Sequence, residues 1–251
     1  MTRVVISQPM FLPWIGLFDQ VRLADVFVHY DDVQRPQGRS FVNRVQIPSA
    51  AGPVWLTAPI DRERSASAIF RTFLVSGTGW RETHLETLRH VYARQANFEQ
   101  MFALAREIYS CPSDNLAEFN IAAIECIASR LGLSPQFVRS SGVDIEGAST
   151  ARLVRISKHF GATEYITGHG ALNYLNHETF DQSGIDVRYM RYASRPWPQL
   201  GSSFTPYVTI LDLLAAVQFD EARSFLRSDT RSWQNFRESD RGVMLEAFSP
   251  P

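Results

Sequence analysis

Residues 3–30, RVVISQPMFLPWIGLFDQVRLADVFVHY, decide the fold. Residues 3–7 form a short β-branched run, which predicts a strand. Gln8 to Pro13 holds two prolines and predicts a loop. From Trp14 to Leu23, Ile15, Phe18 and Val21 recur at helical spacing. Residues 25–30 alternate and are β-branched, which predicts a second strand. A β-loop-α-β opening favours a parallel strand pair. The fold class expected is therefore α/β, a Rossmann-like parallel or mixed sheet flanked by helices.

Working outward, strands are expected at 41–47, 53–60 and 70–76, separated by turn signals such as Ala-Gly-Pro. A helical block runs from Trp80 to about Ser110, with a break near Asn97. A second helix, capped by Ser113 or Asp114, ends at Leu131 before Gly132. The alternation then resumes as strand 136–141, helix 149–160, strand 164–168, loop or helix 170–182 and strand 186–192. Helices at 208–218 and 220–227 follow. The expected organisation is one α/β domain over residues 1–228, with a helical insert at about 80–132, and a polar C-terminal tail over 229–251.

Composition narrows the chemistry. The 251 residues carry a net charge of -1, which argues against an extended nucleic-acid-binding face. Of 25 cationic residues 24 are arginine, and Lys158 is the one lysine. Schiff-base chemistry and a P-loop lysine are thereby disfavoured. The N-terminal apolar run is broken by Ser7, Gln8 and two prolines, and no stretch approaches 18 apolar residues. Neither a signal peptide nor a membrane span is expected. Cys111 and Cys126 form no Cys-x-x-Cys pair, which fits a cytoplasmic chain with free thiols. Cys126, in an apolar helical stretch, reads as a core residue.

Five segments carry candidate chemistry. Gln8, Pro9, Trp14 and Gly16 lie between the first strand and helix, where α/β sheets bind ligands and a helix N-terminus favours anions. His29, Asp31 and Asp32 end the second strand. The two acids suit a base, an amine site or a metal, or else a solvated turn. Asn43 and Arg44, with Arg39 nearby, can fork to phosphate or carboxylate. Arg139, Ser140 and Ser141 end a later strand, and His169 stands between two glycines after the next. His169 is the leading general base, because imidazole suits proton transfer near neutrality, and His29 is second. Asp212 falls in the first turn of a helix that Thr209 can cap, so it is either a binding residue or a helix-start residue. No metal, serine-hydrolase or dinucleotide signature occurs, and no cofactor is identified.

Together these segments resemble the WbqC-like protein family. The resemblance runs from about Val4 to Leu214. It is carried by Gln8-Pro9, Pro13-Trp14-Ile15-Gly16, Ala24-Asp25-Val26-Phe27-Val28, Asp31-Asp32-Val33-Gln34, Asn43-Arg44 and Trp55-Leu56-Thr57-Ala58-Pro59. Phe137-Val138-Arg139-Ser140-Ser141, Gly161-Ala162-Thr163-Glu164-Tyr165-Ile166 and Ile210-Leu211-Asp212-Leu213-Leu214 continue it. The Gly168-His169-Gly170 run departs from the family pattern. The first loop is also similar in layout to that of adenylyl-transferring enzymes, where a His-x-Gly-His motif follows the first strand. Here Trp14-Ile15-Gly16-Leu17 stands in its place, without either histidine.

The resemblance implies a bacterial biosynthetic enzyme for surface glycans or natural products. The function expected is acyl or aminoacyl transfer to an amine of an amino-sugar nucleotide or a natural-product intermediate. The donor would be an acyl carrier protein, coenzyme A or an aminoacyl-tRNA. His169 or Asp31 would deprotonate the amine, and Arg44 and Arg139 would hold phosphate or carboxylate. The alternatives are an ATP-dependent ligase or nucleotidyltransferase with a degenerate phosphate-binding motif, and a non-catalytic partner in a biosynthetic complex.

Overall fold

The computed structural model describes residues 1–36, 40–49, 52–201 and 203–239. The chain opens with β1 (Arg3–Ser7), α1 (Ile15–Leu23) and β2 (Val26–His29). It continues through β3 (Arg44–Ile47), β4 (Val54–Thr57), β5 (Ile60–Asp61) and β6 (Phe73–Leu74). A helical stretch follows: α2 (Trp80–Tyr92), α3 (Phe98–Tyr109) and α4 (Leu116–Arg130). Then come β7 (Gln136–Arg139), α5 (Ser149–His159), β8 (Glu164–Thr167), α6 (His177–Asp181) and β9 (Asp186–Arg191). The described part closes with α7 (Ile210–Ala216), α8 (Phe219–Ala222), β10 (Asp229–Ser232) and α9 (Trp233–Ser239).

The central sheet has the order β10-β9-β8-β1-β2-β7. Its pairs are parallel except β10 on β9, which is antiparallel. From β1 the chain moves to β2 on one side, whereas β8 pairs on the other. The strand order therefore reverses between β1 and β8, the position at which open α/β sheets leave a crevice beyond their carboxyl ends.

Helices cover both faces, which explains why β1 and β2 read as unbroken apolar runs. Val5, Phe27 and Ile166 join the core under α1, α3, α4 and α7. Val4, Ile6, Val26 and Val28 point the other way and pack with Leu153 and Ile156 of α5 and with Phe180. One residue along a strand switches the face, as the two-residue period requires.

Several expected elements are shorter or differently placed. The strands expected at 41–47 and 53–60 pair as a β3–β4 hairpin outside the central sheet, and 70–76 contributes only the two residues of β6. Asn115 caps α4, accepting the Glu118 N–H at 3.1 Å, while Ser113 accepts the Asn115 N–H. The strand expected at 136–141 stops at Arg139, and Ser140–Gly142 form a 3-10 turn. The tail expected from Asp229 is structured as far as Ser239. Asp229–Ser232 closes the sheet edge against β9, and Phe236 of α9 is buried. This edge strand is partly solvated, so its polar sequence carried no apolar alternation.

Candidate functional site

A cavity of about 630 Å³ opens over the carboxyl ends of the parallel strands. Ser7 and Gln8 reach it from the end of β1, Tyr30 from just after β2, and Thr167 to Gly170 from the end of β8. Tyr192 follows β9, and Ser149 begins α5. The volume lies within the usual range for small-molecule sites.

The Gln8–Pro13 loop is held by the body of the protein. Asn120, fully buried in α4, donates from Nδ2 to the carbonyls of Pro9 at 2.8 Å and Val42 at 2.7 Å. Phe11 N–H donates to Phe41 O, and Ile210 N–H donates to Pro13 O. Within this loop Leu12 has φ 40°, in the left-handed region. Ser149, at the cavity wall, has φ 50°. Such conformations are costly for residues with a Cβ, and of the two only Ser149 lines the cavity.

Trp14 forms the floor beside this loop. Its indole packs against Tyr192, with ring centroids 4.8 Å apart, and against Tyr207 at 5.4 Å. A Cβ on Gly16 would stand 2.2 Å from the Trp14 ring. Gly16, expected as a binding residue, instead makes room for an indole. Gln20, one turn further along α1, donates to the Tyr192 hydroxyl at 3.0 Å.

His169 enters the cavity at the end of β8. Its Nε2 lies 2.6 Å from the Met190 carbonyl oxygen. A carbonyl only accepts, so Nε2 is the donor in this contact. Tyr192 and Phe236 flank the ring at 5.3 Å and 4.8 Å.

The acid pair lies elsewhere. Asp31 is buried and accepts from the Ser140 hydroxyl at 3.0 Å, the Ser141 N–H at 2.9 Å and the Ser141 hydroxyl at 2.7 Å. Asp32 takes a two-point ion pair from Arg152 and lies 2.6 Å from the Ser140 hydroxyl. That hydroxyl has one proton, so it serves one carboxylate at a time. Burial works to raise the Asp32 carboxyl, but the Arg152 and Ser140 hydrogen bonds outweigh it and hold the group below the usual carboxylate range. Neither acid lines the cavity. Together they lock the ends of β2 and β7 to α5.

The other expected site residues divide similarly. Of them, Gln8, Trp14 and His169 meet in the cavity. His29 is fully buried on the helical side, stacked on Phe137, with Nε2 3.1 Å from Glu125. Asn43 ties the hairpin by donating to Ala58 O at 3.1 Å. Arg44 lies over the Trp55 ring at 4.3 Å, with Nε and Nη2 buried and unpartnered among the described residues. Arg139 is exposed, and Arg39 lies outside the described residues. Asp212 is fully buried and accepts from Trp197 Nε1 and Gln199 Nε2, each at 2.6 Å. Its burial pushes the carboxyl above the usual range, despite those donors. It anchors the segment before α7 and lies away from the cavity. Cys126 is half-buried at the core margin, and burial lifts its thiol to about 11.

Sequence reasoning missed the tyrosines. Tyr30, Tyr165, Tyr174, Tyr192 and Tyr207 all line the cavity. Burial lifts the Tyr30, Tyr174 and Tyr192 phenols above their ordinary value, so all three stay neutral. The available signal was position, because Tyr30 and Tyr192 each directly follow a parallel strand. Among the described lining residues there is no Asp, Glu, Lys or Arg.

The profile of the WbqC-like protein family matches residues 8–224. An uncharacterized protein of Mycobacterium tuberculosis, Rv1507c, is 33% identical over 229 residues, covering 90% of this chain and 98% of its own length. No solved structure matches.

Proposed function

The chain belongs to the WbqC-like protein family, and from that premise we propose that it is a biosynthetic enzyme that transfers an acyl or aminoacyl group to an amine. The observation that supports this reading is His169 at the crevice between β1 and β8, its Nε2 tied to Met190 O. An amine becomes a good nucleophile as it loses a proton, and an imidazole oriented through one nitrogen at a cavity wall suits that task.

In the proposed step the amine nitrogen attacks the donor's carbonyl carbon. A C–N bond forms, and the donor's C–S or C–O bond breaks. His169 Nδ1 takes the amine proton and returns it to the departing thiolate or alkoxide. The acceptor is an amino-sugar nucleotide or a natural-product intermediate. The donor is an acyl carrier protein thioester, an acyl-coenzyme A or an aminoacyl-tRNA. Asp31, engaged by Ser140 and Ser141, is not the base in this scheme.

The test incubates the full chain with each donor class and a panel of amino-sugar nucleotides, reading products by mass spectrometry. One donor should give an N-acylated product. His169→Ala should lower that rate by about 10²–10⁴-fold while the circular dichroism spectrum is unchanged. Absence of product from every donor would overturn the transfer reading. An undiminished rate in His169→Ala would remove His169 from it.

A further inference from the structure

We infer that the cavity receives an uncharged ring bearing several hydroxyl groups and rejects anionic groups. This rests on reading the cavity as the substrate site, and it concerns which part of the substrate enters.

The first argument is charge. An anion in the cavity would meet no Lys or Arg side chain among the described lining residues, and His169 already gives its Nε2 hydrogen to Met190 O. Arg152 lies behind Tyr30, 5.2 Å from its ring centre, but both its Nη groups already serve Asp32. Arg44 lies over Trp55 on the β3–β4 hairpin and does not line the cavity. An unpaired ionised group taken from water into such a site loses solvation that the cavity does not replace.

The second argument is the kind of polar group present. Ser7, Thr167, Tyr30 and Tyr174 offer hydroxyls, and Gln8 and Gln20 offer carboxamides. Each of these both donates and accepts. A ligand hydroxyl does the same, so a ring carrying several of them finds a partner in either direction. The Tyr30 and Tyr174 phenols, raised above their ordinary value, stay neutral and keep that two-way capacity near neutral pH.

The third argument is the aromatic surface. Trp14, Tyr192 and Tyr207 pack into one continuous cluster at the wall. Tyr207 is 46% exposed and Tyr174 63% exposed, so both have surface free to meet a ligand. Aromatic faces pack well on the C–H face of a saturated ring. A cation would also be drawn to such faces, but none of the described lining residues is an Asp or Glu that could pair with it. The amphoteric hydroxyls then favour the neutral ring.

The experiment measures binding to the full chain without any donor, so it is independent of turnover. Saturation-transfer NMR and intrinsic fluorescence would be read with methyl glucoside, its uronate, its 6-phosphate, adenosine and tetramethylammonium. The neutral glycoside should bind, with the uronate and phosphate at least tenfold weaker. Tyr207→Ala should weaken glycoside binding at least fivefold with no change in Tm. Equal or tighter binding of either anion overturns the inference. So does binding of adenosine or tetramethylammonium without the glycoside, or binding of no probe. Glycoside binding without N-acylated product would sink the transfer reading and leave this one standing, and the reverse pattern would do the opposite.

Discussion

Arg152 grips Asp32 at two points, Nη1 on Oδ1 at 3.0 Å and Nη2 on Oδ2 at 2.5 Å, with side chains 9% and 18% exposed. The pair joins α5 to the end of β2, behind the wall of the cavity. Breaking one side leaves the other charge poorly solvated. Arg152→Ala should cost about 2–3 kcal/mol, somewhat below the figure for a fully buried pair. Asp32 has a lowered folded-state value, so its contribution is present above the ordinary carboxylate value and is lost as pH falls through the lowered one. Urea melts of wild type and Asp32→Asn between pH 2.5 and 6 should converge at the acid end. Melts that stay equally separated at every pH would reject the linkage.

His84 governs a different pH window. Burial lowers it from 6.5 to about 4, against the raising effect of the Thr57 carbonyl. Its neutral ring is satisfied by Tyr109 at 3.0 Å and Thr57 O at 3.1 Å. The unfolded chain therefore binds the proton first as pH falls. Stability is full above about pH 6.5 and declines toward pH 4, by about 3 kcal/mol from this residue alone. His84→Gln should be less stable at pH 7.5 and flatter between pH 7 and 4.5. Chemical denaturation across that range decides it.

Gly16 and Trp14 are expected to behave as a unit. With a Cβ 2.2 Å from the ring, Gly16→Ala must push the indole out of place. A loss of about 1–3 kcal/mol follows from overpacking. The near-ultraviolet circular dichroism signal from the Trp14–Tyr192–Tyr207 cluster should fall. An unchanged signal would mean that the ring does not occupy that space.

Asn120 is the clamp on the first loop. Asn120→Leu removes two donors and leaves the Pro9 and Val42 carbonyls buried without them. The expected cost is about 2–4 kcal/mol. Hydrogen exchange should rise at Phe11, whose N–H pairs with Phe41 O, more than in β8. Uniform change across both segments would argue against a local clamp.

Much of the scaffold was legible in the chain. The apolar runs of β1, β2 and β8 are periodic or continuous enough to mark strands, and His169 between two glycines marked the end of β8. The acid pair misled because adjacent acids after a strand look catalytic. Only the fold shows that Ser140, Ser141 and Arg152, 108 to 120 residues away, occupy them. Asp212 misled for the opposite reason. A first-turn acid is ordinarily solvated, and its partners Trp197 and Gln199 lie in an irregular segment with no pattern to read. The tyrosines were passed over because a tyrosine beyond a strand has no periodic signature, and position at a strand end was the one cue. They acquire meaning only when four strand ends are brought side by side.

The strand order also has a consequence for synthesis. β1 pairs with β8, whose partner residues begin about 160 positions later. Tyr192 of the cavity wall is made later still. At about 5–20 residues per second, Trp14 and its loop leave the ribosome some 10–40 s before the groups that cover them. The apolar surface of Phe11, Leu12 and Trp14 must wait through that interval, sheltered only by α1, β2 and the helices as they form. The cavity is therefore among the last parts of the molecule to close.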